Sequence, residues 1–300
     1  MSALISNIFT QVFITLIAVA GVYVLTGLTG MFSLGQAAFM AIGAYASGLL
    51  VIKLKLPFAL AVLIAVVLAT VVGYLIGYPV VRLRRDYISL VTLGFGEAIA
   101  ALLNRMTSLT GGASGLTGIP RRVGLGIAAV SAVLAIMLVA FFKTSKYGRQ
   151  CIALRGDELA AKAMGIHVTR IKMIAFLLSV SLTAYSGCLY AFYMSYVDPT
   201  GFGWKKSADW VIMVFFGGVN SLTGSTLGAL ILNALPQALR GLQNFRYVIY
   251  AVLVLLILNF KPSGLLGEWE LTPRNVRESA VKLKKKLGGK AAGKADKKEA

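Results

Sequence analysis

Apolar residues run through this chain in long, nearly continuous blocks separated by short polar or glycine-rich gaps. The blocks lie at 4–26, 31–52, 57–81, 88–104 and 123–142, then at 173–194, a short glycine-rich 210–219, 222–239 and 247–260. None shows the strict alternation of a membrane barrel strand, whose side chains point by turns to lipid and lumen. Most reach the roughly 20 residues that a helix needs to cross hydrocarbon. The pattern predicts an all-α fold, a polytopic transmembrane helical bundle of about nine crossings. Eight or ten crossings follow if 210–219 or the 105–122 loop is re-entrant.

Composition agrees with the pattern. Hydrophobic residues make up 58% of the 300 and charged residues 14%, against roughly 25% charged in a soluble domain. Mean hydropathy is +0.80, and the first charged side chain is Lys53. A soluble fold cannot hide so much apolar surface, whereas a bilayer asks only that the backbone be satisfied internally. A cleaved signal peptide is not expected, because the positive n-region is missing and the first apolar block is too long.

The net charge of +19 would suit a nucleic-acid binder if it sat on a folded basic domain. It sits instead in inter-span loops and a tail, which argues against nucleic acid. The stretch 143–172 holds seven basic residues and the segment from Lys261 onward holds eleven. Positive-inside sorting puts both in the cytoplasm, with Arg82, Arg84 and Arg85 marking a third inside loop. An even number of crossings must then separate 143–172 from the C-terminus, so 210–219 counts as one, part of a broken or tilted helix. Five spans counted back place the N-terminus outside. Arg105, Arg121 and Arg122 fit an outside 105–122 loop poorly. Residues 1–267 form the membrane domain in this reading. Residues 268–300 form a lysine-rich cytoplasmic tail that cannot fold alone and is drawn to anionic membrane lipids.

Enzyme chemistry finds no footing. Gly288-Gly289-Lys290-Ala291 lacks the spacing and hydroxyl of a nucleotide-binding loop. His167 is the lone histidine, and Cys151 and Cys188 stand far apart, so no metal site, triad or disulfide framework is expected, and no cofactor. His167 reads as a surface residue or a pH sensor.

The most informative segment lies inside the basic loop. Asp157 is placed to cap a short helix, with Glu158 on the positive end of its dipole. Gly165 suits the left-handed residue after its end. Leu159, Ala160 and Ala163 give it a small apolar face. Such a helix fits a partner's groove or lies flat on the membrane surface. Glu97 is the lone acid in an apolar span and must be neutral, paired or facing a wet cavity. Arg105, two turns on, is a candidate partner. Gly217, Gly218, Gly224 and Gly228 permit close helix packing or a broken helix along a substrate route, with Asn220, Ser221 and Thr223 as polar contacts.

Four motifs in colinear order, spanning about 20–267, resemble the branched-chain amino acid permeases of ATP-driven importers. One runs from Tyr147-Gly148-Arg149 through Ala153-Leu154-Arg155 to Ala160-Ala161-x-x-x-Gly165-Ile166 and contains what looks like the coupling helix. A second is Gly27-Leu28-Thr29-Gly30-Met31-Phe32-Ser33-Leu34-Gly35-Gln36-Ala37-Ala38-Phe39, where the family commonly has His in place of Gln36. The third, Thr110-Gly111-Gly112-Ala113-Ser114-Gly115-Leu116-Thr117-Gly118-Ile119-Pro120, resembles the outside-loop motif. The fourth is the closing motif, Lys261-Pro262-Ser263-Gly264-Leu265-Leu266-Gly267.

The resemblance implies a permease in the bacterial inner membrane, with a second permease subunit, two cytoplasmic ATP-binding subunits and a periplasmic substrate-binding protein as partners. Asp157, Glu158, Ala160, Ala161, Met164 and Gly165 would couple to the ATPases. Gln36, Glu97, Asn220, Ser221 and Thr223 are candidate pathway or gating residues. A permease for urea or short amides shares much of this signature. A secondary transporter would spread titratable residues through its spans, and a mere anchor would not need so many polar and glycine positions within them.

Overall fold

The computed structural model describes residues 2–238, 245–261, 263–267 and 269–271. The chain folds as a helical bundle. Helix α1 (Ser2–Tyr23) continues into a π-helical turn (Val24–Thr29), followed by α2 (Gln36–Leu54), α3 (Phe58–Val80) and α4 (Arg85–Arg105). A short α5 (Thr107–Thr110) and strand β1 (Leu116–Thr117) lead to α6 (Leu125–Thr144), α7 (Lys146–Gly156), α8 (Glu158–Ala163) and α9 (Val168–Met194). Strand β2 (Tyr196–Val197), α10 (Trp204–Gly217), α11 (Leu222–Ala238) and α12 (Phe245–Phe260) complete it. Among the described residues, six helices are long and apolar enough to cross a membrane: Ile5–Thr29, Gln36–Leu54, Phe58–Val80, Tyr87–Arg105, Leu125–Thr144 and Val168–Met194. The remaining apolar helices, α10, α11 and α12, are shorter.

Two helices form the centre. Along α1 and α9 most side chains are buried, including Ile17, Tyr23, Phe176 and Phe192, whereas α3 and α6 turn Leu63, Val67, Val130 and Leu134 outward. Close backbone approach fixes the crossing of α2 on α9. A Cβ on Gly43 would lie 2.2 Å from the Ala184 carbonyl oxygen, and one on Gly187 only 2.0 Å from that of Met40. Small residues let the helices gain dispersion contacts that lipid cannot replace.

The bundle has two distinct ends. At one, Leu116–Thr117 pairs antiparallel with Tyr196–Val197, and Tyr45 donates to the Val197 carbonyl at 3.1 Å. At the other, Lys143 at the end of α6 donates to the Tyr23 hydroxyl at 3.1 Å and the Asn220 carbonyl at 3.2 Å. Helices α7 and α8 and the 81–84 turn gather at this second, basic end.

Helices α2 and α10 both start halfway along the bundle. The Gln36 side-chain oxygen accepts from Thr183 at 3.2 Å, and Thr183 is the sixteenth of 27 residues in α9. Residues 30–35 carry the chain from the basic end to this level without helical structure. Their polar backbone finds partners inside the protein: Leu34 N–H donates to Thr92 Oγ1 at 3.1 Å. Irregular backbone is tolerated at membrane depth only under such shelter. Ala37 N–H in the first turn of α2 donates to Ser207 Oγ at 2.8 Å, which brings the N-terminal turns of α2 and α10 together.

Candidate functional site

The expected short helix in the basic loop is present as α8. The Asp157 carboxylate accepts the Leu159 and Ala160 amides at 2.8 and 3.1 Å, so two of the first turn's orphan donors are satisfied. Gly165 has φ +81°. Its amide reaches the Lys162 carbonyl and that of Ile166 reaches Ala161, the paired bonds that end a helix at a left-handed glycine. Ala161 faces inward, while Ala160 and Ala163 are exposed. Leu159 is 79% exposed and Met164 83%, so the helix holds large apolar side chains away from its own protein.

The mount beneath it is polar and tight. Both Glu158 oxygens accept from Lys172 at 2.8 Å, and the Lys172 side chain is only 3% exposed. Helix α7, which the apolar pattern did not reveal, packs Gly148, Cys151 and Leu154 against the bundle. These lie three apart, one short stripe on an 11-residue helix. Burial pushes the Cys151 thiol up to about 12. The last carbonyls of α7, on Leu154 and Arg155, accept from Arg85 at the start of α4. Arg155 in turn donates to the Gly27 carbonyl at 2.6 Å, inside the π-helical turn. Thus α7 and α8 are bonded to α9, α4 and the turn that leads toward α2.

Glu97 is satisfied by a partner other than Arg105. Its Oε1 accepts the Trp204 amide at 3.2 Å, at the N-terminus of α10, where the unpaired amides and the helix dipole favour an anion. Arg105 stands eight residues, about 12 Å, along the same helix. Tertiary folding supplied the donor, which is why the sequence pairing was wrong. Glu97, Lys205 and Asp209 are all exposed on this chain near mid-bundle. The neighbouring Lys206 ammonium lies 4.6 and 4.5 Å from the Tyr190 and Phe202 ring centroids, within cation–π range.

The other expected residues lie elsewhere. Gln36 is fully buried and bonds Ser33 and Thr183. Ser221 caps α11 by accepting the Gly224 amide at 3.0 Å. Leu271 N–H donates to Thr223 at 3.3 Å, while the Asn220 carbonyl takes Lys143 and Tyr23. Here residues 269–271 return to the bundle, while the expected lysine-rich tail beyond them lies outside the described residues: Glu270 bonds Lys143 and accepts the Leu222 amide at 3.1 Å. The closing motif joins the end of α10, since Leu265 and Leu266 amides reach the Phe216 and Gly217 carbonyls. Gly217 and Gly224 meet backbone to backbone, a Cβ on Gly217 falling 2.0 Å from the Gly224 oxygen; the glycine run serves close packing. Gly111, Gly112, Gly115 and Gly118 all take positive φ in the loop leading into and past β1. Among the described residues no group of three His, Cys, Asp or Glu is placed to hold a metal ion.

A family model described as a branched-chain amino acid transport system / permease component matches residues 4–258. The chain belongs to that family. The permease is 31% identical over 294 residues to the high-affinity branched-chain amino acid transport system permease protein LivM of Salmonella typhimurium, covering 87% of this chain and 69% of the relative. The same protein of Escherichia coli K12 matches to the same extent. The LivH permease protein of Salmonella typhimurium is 25% identical over 190 residues, 62% of this chain and 61% of the relative. No solved structure matches the permease. It is a multi-pass membrane protein of the ABC-transporter permease class.

Proposed function

We propose that this permease is one of two membrane subunits of an ATP-driven importer and forms half of the route for leucine, isoleucine and valine across the inner membrane. In this reading it crosses nine times, α10 being a short crossing, with the N-terminus outside and the basic end and C-terminus in the cytoplasm. Similarity to both LivM and LivH supports pairing with a second permease. Two ATP-binding subunits engage α8 from the cytoplasm, and a periplasmic binding protein delivers substrate.

The observation that carries the proposal is α8 itself: a capped helix with Leu159 and Met164 held outward on a bonded mount. Outward apolar side chains fit a partner's groove, and the mount gives a push on α8 somewhere to go. Through Lys172 it reaches α9. Through the Leu154 and Arg155 carbonyls it reaches α4, and through Arg155 the π-helical turn and so residues 30–35. ATP-driven closure biases alternating access only if the two states hold the ATPases differently.

The surface bearing Glu97, Lys205 and Asp209 faces the second subunit and the substrate route. Charges at mid-bundle depth do not face lipid, because hydrocarbon cannot solvate them. Two helix N-termini meet beside this surface, an arrangement suited to a substrate carboxylate.

The test is uptake by the complete importer carrying Leu159→Asp and Met164→Asp together. The double variant should insert normally, lose both ATP-binding subunits on purification and lose leucine uptake. Full uptake with bound ATPases would overturn the role of α8. Competition of leucine uptake by isoleucine and valine, but not by urea, is expected; inhibition by urea alone would overturn the substrate.

A further inference from the structure

A groove of about 1390 Å³ opens at the basic end between the C-terminal turns of α3, the 81–84 turn, α8 and the first turns of α9. Arg82, Arg84, Arg85, Lys162 and Arg170 line it. Among the described side chains in its wall the carboxylate is that of Glu158, which Lys172 already holds. Arg85 is committed to the α7 carbonyls, whereas Arg82, Arg84, Lys162 and Arg170 are exposed. A concave site with this balance concentrates anions.

Its neighbours say which kind of anion. The groove is the lower end of the outward apolar face of α3, where Val71, Tyr74, Leu75 and Tyr78 are exposed. Tyrosines at the end of an apolar span mark the level of the headgroups. Tyr78 accepts a hydrogen bond from Arg82, whose guanidinium lies 4.2 Å from the ring centroid. Met173 and Ile174 add an apolar wall on the α9 side. Arginines at the mouth, tyrosines at the interface and an apolar strip leading away match an amphiphile with a phosphate head. A free phosphate has no use for the strip.

We infer that this groove binds an anionic phospholipid of the cytoplasmic leaflet, its phosphate held by Arg82, Arg84 and Arg170 and its acyl chains lying along α3. This is a fixed site on the bundle, separate from any diffuse attraction of the tail lysines, and basic pockets of this kind at the inner surface hold acidic headgroups.

The experiment uses the full chain with Tyr78→Trp as a reporter, reconstituted in nanodiscs of phosphatidylcholine doped with bromine-labelled phosphatidylglycerol; its quenching is read as the difference from the same chain without that substitution, because Trp204, Trp210 and Trp269 also fluoresce. Bromine on the acyl chain quenches indole at short range, and the same reporter in labelled phosphatidylcholine alone sets the baseline for bulk lipid. Quenching should be at least threefold stronger with labelled phosphatidylglycerol at equal mole fraction. Arg84→Gln with Arg170→Gln should abolish the preference. Replacing Lys282, Lys284 and Lys285 by Gln should leave it intact. Native mass spectrometry of the same proteins should show a phosphatidylglycerol adduct retained in the tail variant and lost in the groove variant. Equal quenching by the two lipids would overturn the proposal. So would a preference that survives the groove substitutions or disappears with the tail ones. Relief of quenching by millimolar inorganic phosphate would show a free-anion site, and relief on adding the ATP-binding subunits would show a protein interface; either also overturns it.

Discussion

Glu158 and Lys172, fourteen residues apart in the chain, form a two-oxygen ion pair at 2.8 Å that ties α8 to the second turn of α9. The lysine is almost wholly enclosed while the glutamate is partly open to solvent. Removing the carboxylate strands a cation that the fold has withdrawn from water, so Glu158→Ala should destabilise the permease by about 1.5–3 kcal/mol. Lys172→Met should recover part of that loss when added to Glu158→Ala, because it deletes the stranded charge. A double-mutant cycle on thermal unfolding in detergent measures both; additive effects would show that the pair does not couple.

Glu97 offers its carboxylate to the first amide of α10. Glu97→Gln keeps an acceptor and loses the charge, and should cost about 0.3–1 kcal/mol. Glu97→Lys places a cation at the same helix end and should cost more. On the proposed route, both should lower uptake by more than their stability losses explain. Unfolding curves beside transport rates at equal membrane abundance check this.

Gly187 and Gly94 should respond oppositely to alanine. At Gly187 the new methyl would meet the Met40 carbonyl, whereas at Gly94 it meets open space. Gly187→Ala should destabilise by about 1–3 kcal/mol through overpacking. Gly94→Ala should be neutral or stabilising by up to about 1 kcal/mol, since it removes a helix-interior glycine. Melting temperatures of the two single variants settle the ordering.

Both cysteines are free and buried. Cys151 sits outside the spans, yet burial pushes its thiol up to about 12, so at pH 8 almost none is thiolate, the reactive form. Maleimide should leave the folded permease unlabelled at pH 8 and label two sites after denaturation. Intact-mass measurement counts the adducts.

Residues 269–271, just past the closing motif, should matter for stability. Glu270 joins Lys143 to the first turn of α11, and the Trp269 carbonyl accepts from Ser221. Truncation after Gly267 removes these bonds and should cost about 1–2 kcal/mol, the range of a helix cap with one further hydrogen bond. Truncation after Leu271 keeps them and should not. Paired melts compare the two.

Most of the helices were legible in the sequence because hydrocarbon demands long apolar runs. The blocks at 57–81, 88–104, 123–142 and 222–239 lie close to α3, α4, α6 and α11. The misses have local causes. Helices α9 and α10 begin five and six residues earlier than their blocks at 173 and 210, since Arg170, Lys172, Lys205 and Lys206 interrupt the apolar signal without interrupting the helix. Helix α2 starts five residues later than its block, because Met31 and Phe32 are apolar but belong to the irregular 30–35 stretch.

By itself, then, the chain determined its membrane class, the places of its long helices and the caps of α8. Each depends on residues near one another in sequence: an apolar run, an Asp before a short helix, a Gly after it. Tertiary structure decided which partner each buried or charged group meets. Glu97 met the α10 amide, Glu158 met Lys172, and Arg155 met Gly27 across 128 positions. Those pairings arise from helices packed side by side, and residue spacing along one helix cannot encode them. The same packing placed the N-terminal turns of α2 and α10 together at mid-bundle, where the proposed substrate route lies.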